Sequence, residues 1–220
     1  MLGTTYLDIS EKLYDQTIDY HNRVIALAEQ PSGAAWGSSA WVELGFCYLA
    51  IGELDRADEY FHKGLTKQTT MMHLLRPRLL VGAARVALAK GDFDLAANRI
   101  QEAHVFAEER GMQDHFPLIA FTNAKFQTSR GKLDLALEQF NLAETLAQEM
   151  NMRPLVWQAR AAAGQILSEF GRKSEADLKR RQAQVIIEEM GSLIEDETLR
   201  SQFLESASKK TWGIALGIAG

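Results

Sequence analysis

The sequence predicts an all-α protein built as a repeat array, and three observations carry that prediction. One turn recurs every 39 to 40 residues, as Ile51-Gly52-Glu53-Leu54-Asp55, Lys90-Gly91-Asp92-Phe93-Asp94, Arg130-Gly131-Lys132-Leu133-Asp134 and Phe170-Gly171-Arg172-Lys173. An alanine follows each turn glycine by five residues (Ala57, Ala96, Ala136, Ala176), and a second small residue follows seven later (Gly64, Ala103, Ala143, Ala183). Between the turns apolar residues recur at helical spacing, with no sustained alternation and no hairpin dipeptide to suggest strands. Self-similarity at this period marks a solenoid, in which each unit buries its apolar face only against its neighbours.

The elements follow in order. Residues 1–30 are expected to hold an N-terminal capping helix (Tyr6 to Glu29), and residues 31–193 four repeats, at about 31–72, 73–112, 113–152 and 153–193. A C-terminal capping helix is expected within 194–211 (Asp196 to Lys210), followed by an apolar tail at 212–220. Each repeat reads as two antiparallel helices with a short turn inside the pair and a longer one between pairs. Pro77 and Pro117 are expected at helix starts, where a missing N–H costs nothing, with Pro31 and Pro154 a few residues before the corresponding starts. Gly111, Asn151 and Gly191 are expected to end helices, because glycine and asparagine tolerate the left-handed conformation found there. Within the second helices, Ala96, Ile100, Ala103 and Ala107 form a stripe that recurs as Ala136, Phe140, Ala143 and Ala147, and small residues let helices approach closely.

No proline-rich or serine-glycine run reads as a linker, so the 220 residues are expected to form one continuous domain. The net charge of −5 argues against nucleic acid as the partner, since phosphate binding leaves a basic footprint. Cys47 is the single cysteine, which excludes an intramolecular disulfide and fits a reducing compartment; cytoplasmic localisation is expected. Met1 to Ser10 lacks a charged segment followed by an apolar core, so no secretion signal is expected. Trp212 to Ala219 reads WGIALGIA, eight residues against the roughly 20 that span a bilayer as a helix, so no membrane span is expected. That tail is expected to pack on the last helix or to be partly disordered, with membrane-surface contact or a partner-docking peptide as the alternatives.

The first repeat carries Trp41, Leu44, Gly45, Tyr48, Ala57 and Phe61 at the offsets W-x2-L-G-x2-Y…A-x3-F, and so resembles the tetratricopeptide repeat family at all six positions. Later repeats keep Ala136 with Phe140, and Ala96 with Ile100, but lose the tryptophan and tyrosine. The last has Arg180 where phenylalanine is expected, and Thr69 stands where the family has its terminal proline. The period also exceeds the family's usual length of about 34. Long-period arrays of this kind are similar to the helical arrays of large bacterial signal-transduction regulators, and Ile187 to Ala207 resembles their closing helix, although the chain has no phosphate loop. The resemblance implies a right-handed superhelical solenoid of about four helix pairs with capping helices at both ends.

The residues offer little for chemistry. The five histidines are scattered, Cys47 sits between Phe46 and Tyr48 on a packed helix, and acidic pairs such as Glu108-Glu109 fall in last turns. No catalytic residue, metal or cofactor is expected, and no enzyme. The resemblance implies instead a concave groove lined by first helices, with Phe46, Arg78, Arg85, Phe121, Lys125, Gln158 and Gln165 facing it. Two aromatics beside three cations predict a protein–protein or protein–peptide interaction module for an acidic or amphipathic peptide segment. The alternative is a sensor or regulatory arm of a bacterial signalling or transcription-regulatory system that binds a small peptide or effector. Self-association through the array ends or the tail is a further route to a partner.

Overall fold

A computed structural model of the chain describes residues 11–28, 34–67 and 70–212. The first ten residues, Pro31 and the tail beyond Trp212 lie outside these, and with them part of the expected N-terminal cap. The described residues form ten α-helices and one short 3-10 turn, with no strand among them. They group into two compact units, residues 11–115 and 116–212.

The first unit contains α1 (Glu11–Ala28), α2 (Ala34–Ala50), α3 (Leu54–Thr66), α4 (Thr70–Ala89), α5 (Phe93–Glu109) and the 3-10 turn Gln113–His115. Each helix packs on the next, and the first helices α2 and α4 also touch each other. The second unit contains α6 (Phe116–Ser129), α7 (Leu133–Glu149), α8 (Arg153–Glu169), α9 (Lys173–Ser192) and α10 (Glu197–Trp212). Here too neighbours pack in sequence, α6 touches α8, and α10 lies against both α8 and α9.

The recurring turns end helices in one way. Gly52, Gly91, Gly131 and Gly171 have φ of 82°, 77°, 68° and 73°, the left-handed region that side chains resist. The residue after each glycine donates its N–H back to a carbonyl five residues earlier, as from Asp92 to Ala87 and from Arg172 to Leu167, both at 2.9 Å. Gly111 (φ 64°) and Asn151 (φ 54°) do the same between pairs. Of the second helices after the four turns, α5 has a side-chain cap: Asp92 Oδ1 accepts from the Leu95 N–H at 2.9 Å.

Both small-residue series are buried. Ala57, Ala96, Ala136 and Ala176 are 0% exposed, as are Ala103, Ala143 and Ala183. Gly45 and Gly82 go further, for both lie against the ring of Phe61 on α3.

Three local expectations are corrected. Pro77 is inside α4 rather than at its start, because the helix begins at Thr70 and runs through the proline. Pro154 is the second residue of α8 rather than a residue before it, where its missing N–H is harmless. Gly191 keeps helical conformation within α9; a Cβ there would stand 2.7 Å from Leu204 Cδ2, so this glycine admits a neighbour rather than ending a helix.

Candidate functional site

The seven candidate residues divide between the units. In the first unit the helices bring three of them together. Phe46 on α2 lies under both guanidinium groups of α4, with Arg78 Cζ 5.6 Å and Arg85 Cζ 5.8 Å from its ring centroid. Arg78 and Arg85 are two turns apart on one helix, so their side chains lean to the same face. Phe46 itself is buried at 7% exposure and meets Phe61 edge to face at 5.1 Å. Its ring is therefore part of the core, with the two cations laid over it, rather than an anchor open to a ligand.

The positive charge expected of this face is partly answered. Glu43 Oε1, on α2, stands 2.9 Å from Arg78 Nη2, and the two side chains are only 14% and 21% exposed. The approach makes a close ion pair but is poorly aligned as a hydrogen bond: neither Arg78 Nη2 nor Glu43 Oε2 has a hydrogen-bond partner among the described residues. Opposite charges at this separation and burial attract strongly whatever the angle. Glu43 was absent from the sequence-derived candidates. Its signal is its isolation, as the single charged residue of α2.

Two histidines border the pair. Burial lowers the pKa of His21 on α1 from the ordinary 6.5, against the opposing pull of the Glu43 carboxylate. Burial also lowers that of His115; Asp114 and a hydrogen bond with the Leu74 backbone oppose this, and the Arg78 charge adds to it. Below pH 6.5 the unfolded chain takes up protons that the folded histidines resist. The stability linked to them is thus fully present above 6.5 and is lost as pH falls from there toward the lowered folded values. Each contributes a slope of up to about 1.4 kcal/mol per pH unit. Chemical unfolding of the chain should become easier as pH falls below 6.5, and the His21→Gln, His115→Gln double variant should flatten that slope. An unchanged slope would show that neither histidine is held neutral by the fold.

Cys47, beside Glu43 on α2, is buried, and desolvation together with the Glu43 charge pushes its thiol pKa up to about 12. It is protonated at neutral pH and so a poor nucleophile. Among the described residues no three His, Cys, Asp or Glu side chains group closely enough to hold a metal ion.

The second unit holds the other four candidates. Phe121 on α6 is 4% exposed and meets Phe140 edge to face at 5.4 Å, while Lys125 Nζ lies 5.7 Å from its ring centroid. The arrangement repeats the first unit's: a buried ring pair beneath a cation. Gln158 is half-buried on α8. Gln165 Nε2 donates to the Lys210 carbonyl at 3.3 Å, satisfying one of the carbonyls left over at the end of α10. That contact makes it a clasp between α8 and the closing helix.

No protein-family model matches the chain, and no curated protein matches it significantly.

Proposed function

We propose that this chain is a non-enzymatic protein-interaction module whose helix pairs stack as a right-handed superhelical solenoid, with the first helices lining the concave side. The observation that carries this reading is the convergence of Arg78 and Arg85 over Phe46, between two first helices in contact. Cations held over buried rings are pre-positioned, so a carboxylate-bearing or amphipathic peptide meets them with little further loss of side-chain freedom. Glu43 already engages Arg78, so part of the positive charge on this face is answered within the chain. The buried thiol of Cys47 favours the non-enzymatic reading, and a cytoplasmic setting is part of the proposal.

Affinity capture from a native lysate tests it, with wild-type chain, Arg85→Glu and Lys125→Glu compared by quantitative mass spectrometry. A partly exposed cation is worth about 0–1 kcal/mol, and reversing its sign should weaken the bound partner's affinity about fivefold. The difference should shrink at high salt, since screening weakens exposed pairs. Phe121→Ala is unsuitable as a binding probe, because the ring is buried and its loss would disturb the fold. Equal recovery of partners by both charge variants at low salt would rule out the concave face.

A further inference from the structure

The two units pack three consecutive helices in the same order, α3, α4 and α5 in the first and α7, α8 and α9 in the second, and in the second a buried carboxylate links all three. In the second unit Lys179 on α9 reaches across to α7, donating to Asn141 Oδ1 at 3.1 Å and to Glu144 Oε2. Glu144 also accepts from Arg160 Nε on α8 at 2.8 Å. One buried carboxylate thus ties three helices together.

The corresponding places in the first unit follow from the repeat, with Phe61 and Ala96 matching Phe140 and Ala176. Arg99 stands for Lys179 and His62 for Asn141, but Leu65 stands for Glu144 and Leu80 for Arg160. The cation is kept while the carboxylate it would meet is gone. Arg99 accordingly turns along its own helix to Glu102, at 2.8 Å, and Glu102 also takes Arg76 at 2.6 Å. Between α3, α4 and α5 a cleft of about 310 Å³ remains. Leu65, Ala83, Val86 and Leu95 line it with apolar surface, and His62 and Arg99 are among its polar residues. The two acidic groups there have partners of their own: Asp58 pairs with Lys90 at 3.4 Å, and Asp92 caps α5.

We infer that this cleft is a second peptide-binding site, sharing no residue with the Phe46, Arg78 and Arg85 group. Its occupant is a segment of a partner protein in which a carboxylate neighbours a leucine-sized apolar side chain. The apolar group fills the cleft over Leu65, Val86 and Leu95. The carboxylate lies beside Leu65, facing Arg99 and His62, and draws Arg99 from Glu102. The volume lies at the low end of the range of small-molecule sites and is enough for one such side chain. The charge complementarity is the one this chain already uses within itself.

The test is a titration of the isotope-labelled full chain with N-acetyl-leucine and, separately, with its uncharged amide, N-acetyl-leucinamide, followed by NMR. The acid should bind about fivefold or more tightly than the amide, with shifts concentrated on α3, α4 and α5 and on the Arg99 Nε–H. Arg99→Gln, a change at a partly exposed position, should bring the acid to the affinity of the amide. Leu65→Glu should supply the missing carboxylate from within, draw Arg99 across and weaken acid binding by at least about fivefold. If Leu65→Glu fails to fold, the Arg99→Gln comparison decides alone. Equal affinity for acid and amide, no binding of either, or shifts spread over α6 to α10 would overturn the inference. Because these outcomes do not involve Arg85, they separate it from the concave-face proposal.

Discussion

Phe61→Ala is expected to lower the stability of the first unit by about 3–5 kcal/mol, the cost of deleting a fully packed ring. Phe61 is 0% exposed and touches helices on both sides of α3. Its ring fits only because two facing positions have no side chain. A Cβ on Gly45 of α2 would lie 2.5 Å from Phe61 Cε1, and one on Gly82 of α4 would lie 2.2 Å from it. Neither approach is tolerable, and a ring held between two backbones has nowhere to move. Gly82→Ala should therefore cost about 1–3 kcal/mol by overpacking, despite the better helix propensity of alanine. Native-state hydrogen exchange at the amides of α2 to α4 reads both effects where they arise. The two changes should be strongly non-additive: once Phe61 is alanine, Gly82→Ala should cost little. A neutral Gly82→Ala in the wild-type background would show that the ring is not clamped.

Glu144→Leu should destabilise the second unit by about 3–5 kcal/mol, because it leaves buried cations without their counter-charge. The Glu144 and Arg160 side chains are 10% and 12% exposed, and Lys179 is 24% exposed. Burial of this degree makes the loss of a partner expensive, whereas replacing the whole pair is not. The first unit supplies the pattern for a rescue, with Leu65 and Leu80 in the equivalent places. The double variant Glu144→Leu, Arg160→Leu should recover most of the loss, leaving Lys179 with Asn141 and solvent. Chemical denaturation followed by exchange protection in α7 to α9 measures it. If the double variant is as unstable as the single one, the link owes its strength to something other than charge compensation.

The helices and their breaks were legible in the sequence because their causes are local. A glycine with positive φ, a bond from the residue after it back to the carbonyl four residues before the glycine, and an alanine five residues on all lie within one short stretch of chain. The period in residues 51–176 therefore marks the turns at Gly52, Gly91, Gly131 and Gly171, the helical class and the buried alanine stripe. Gly111 and Asn151 were legible for the same reason. Pro77 and Gly191 misled, because each has two readings that only the neighbours separate: Pro77 is accepted within α4, and Gly191 makes room for Leu204.

The candidate site was legible only as a set of positions. Sequence spacing put Arg78 and Arg85 on one face of α4, and the structure carries both over Phe46. It could not show that the ring would be buried, that Glu43 would meet Arg78, or that Gln165 would clasp the end of α10. Nor could it show that Lys179 would reach across to α7 while Arg99 turned back along its own helix. Charges on a helix face acquire their meaning from groups a helix or more away in sequence. The sign and burial of that partner are decided by packing between helices, so the repeat determines where side chains stand and the tertiary structure decides what they face.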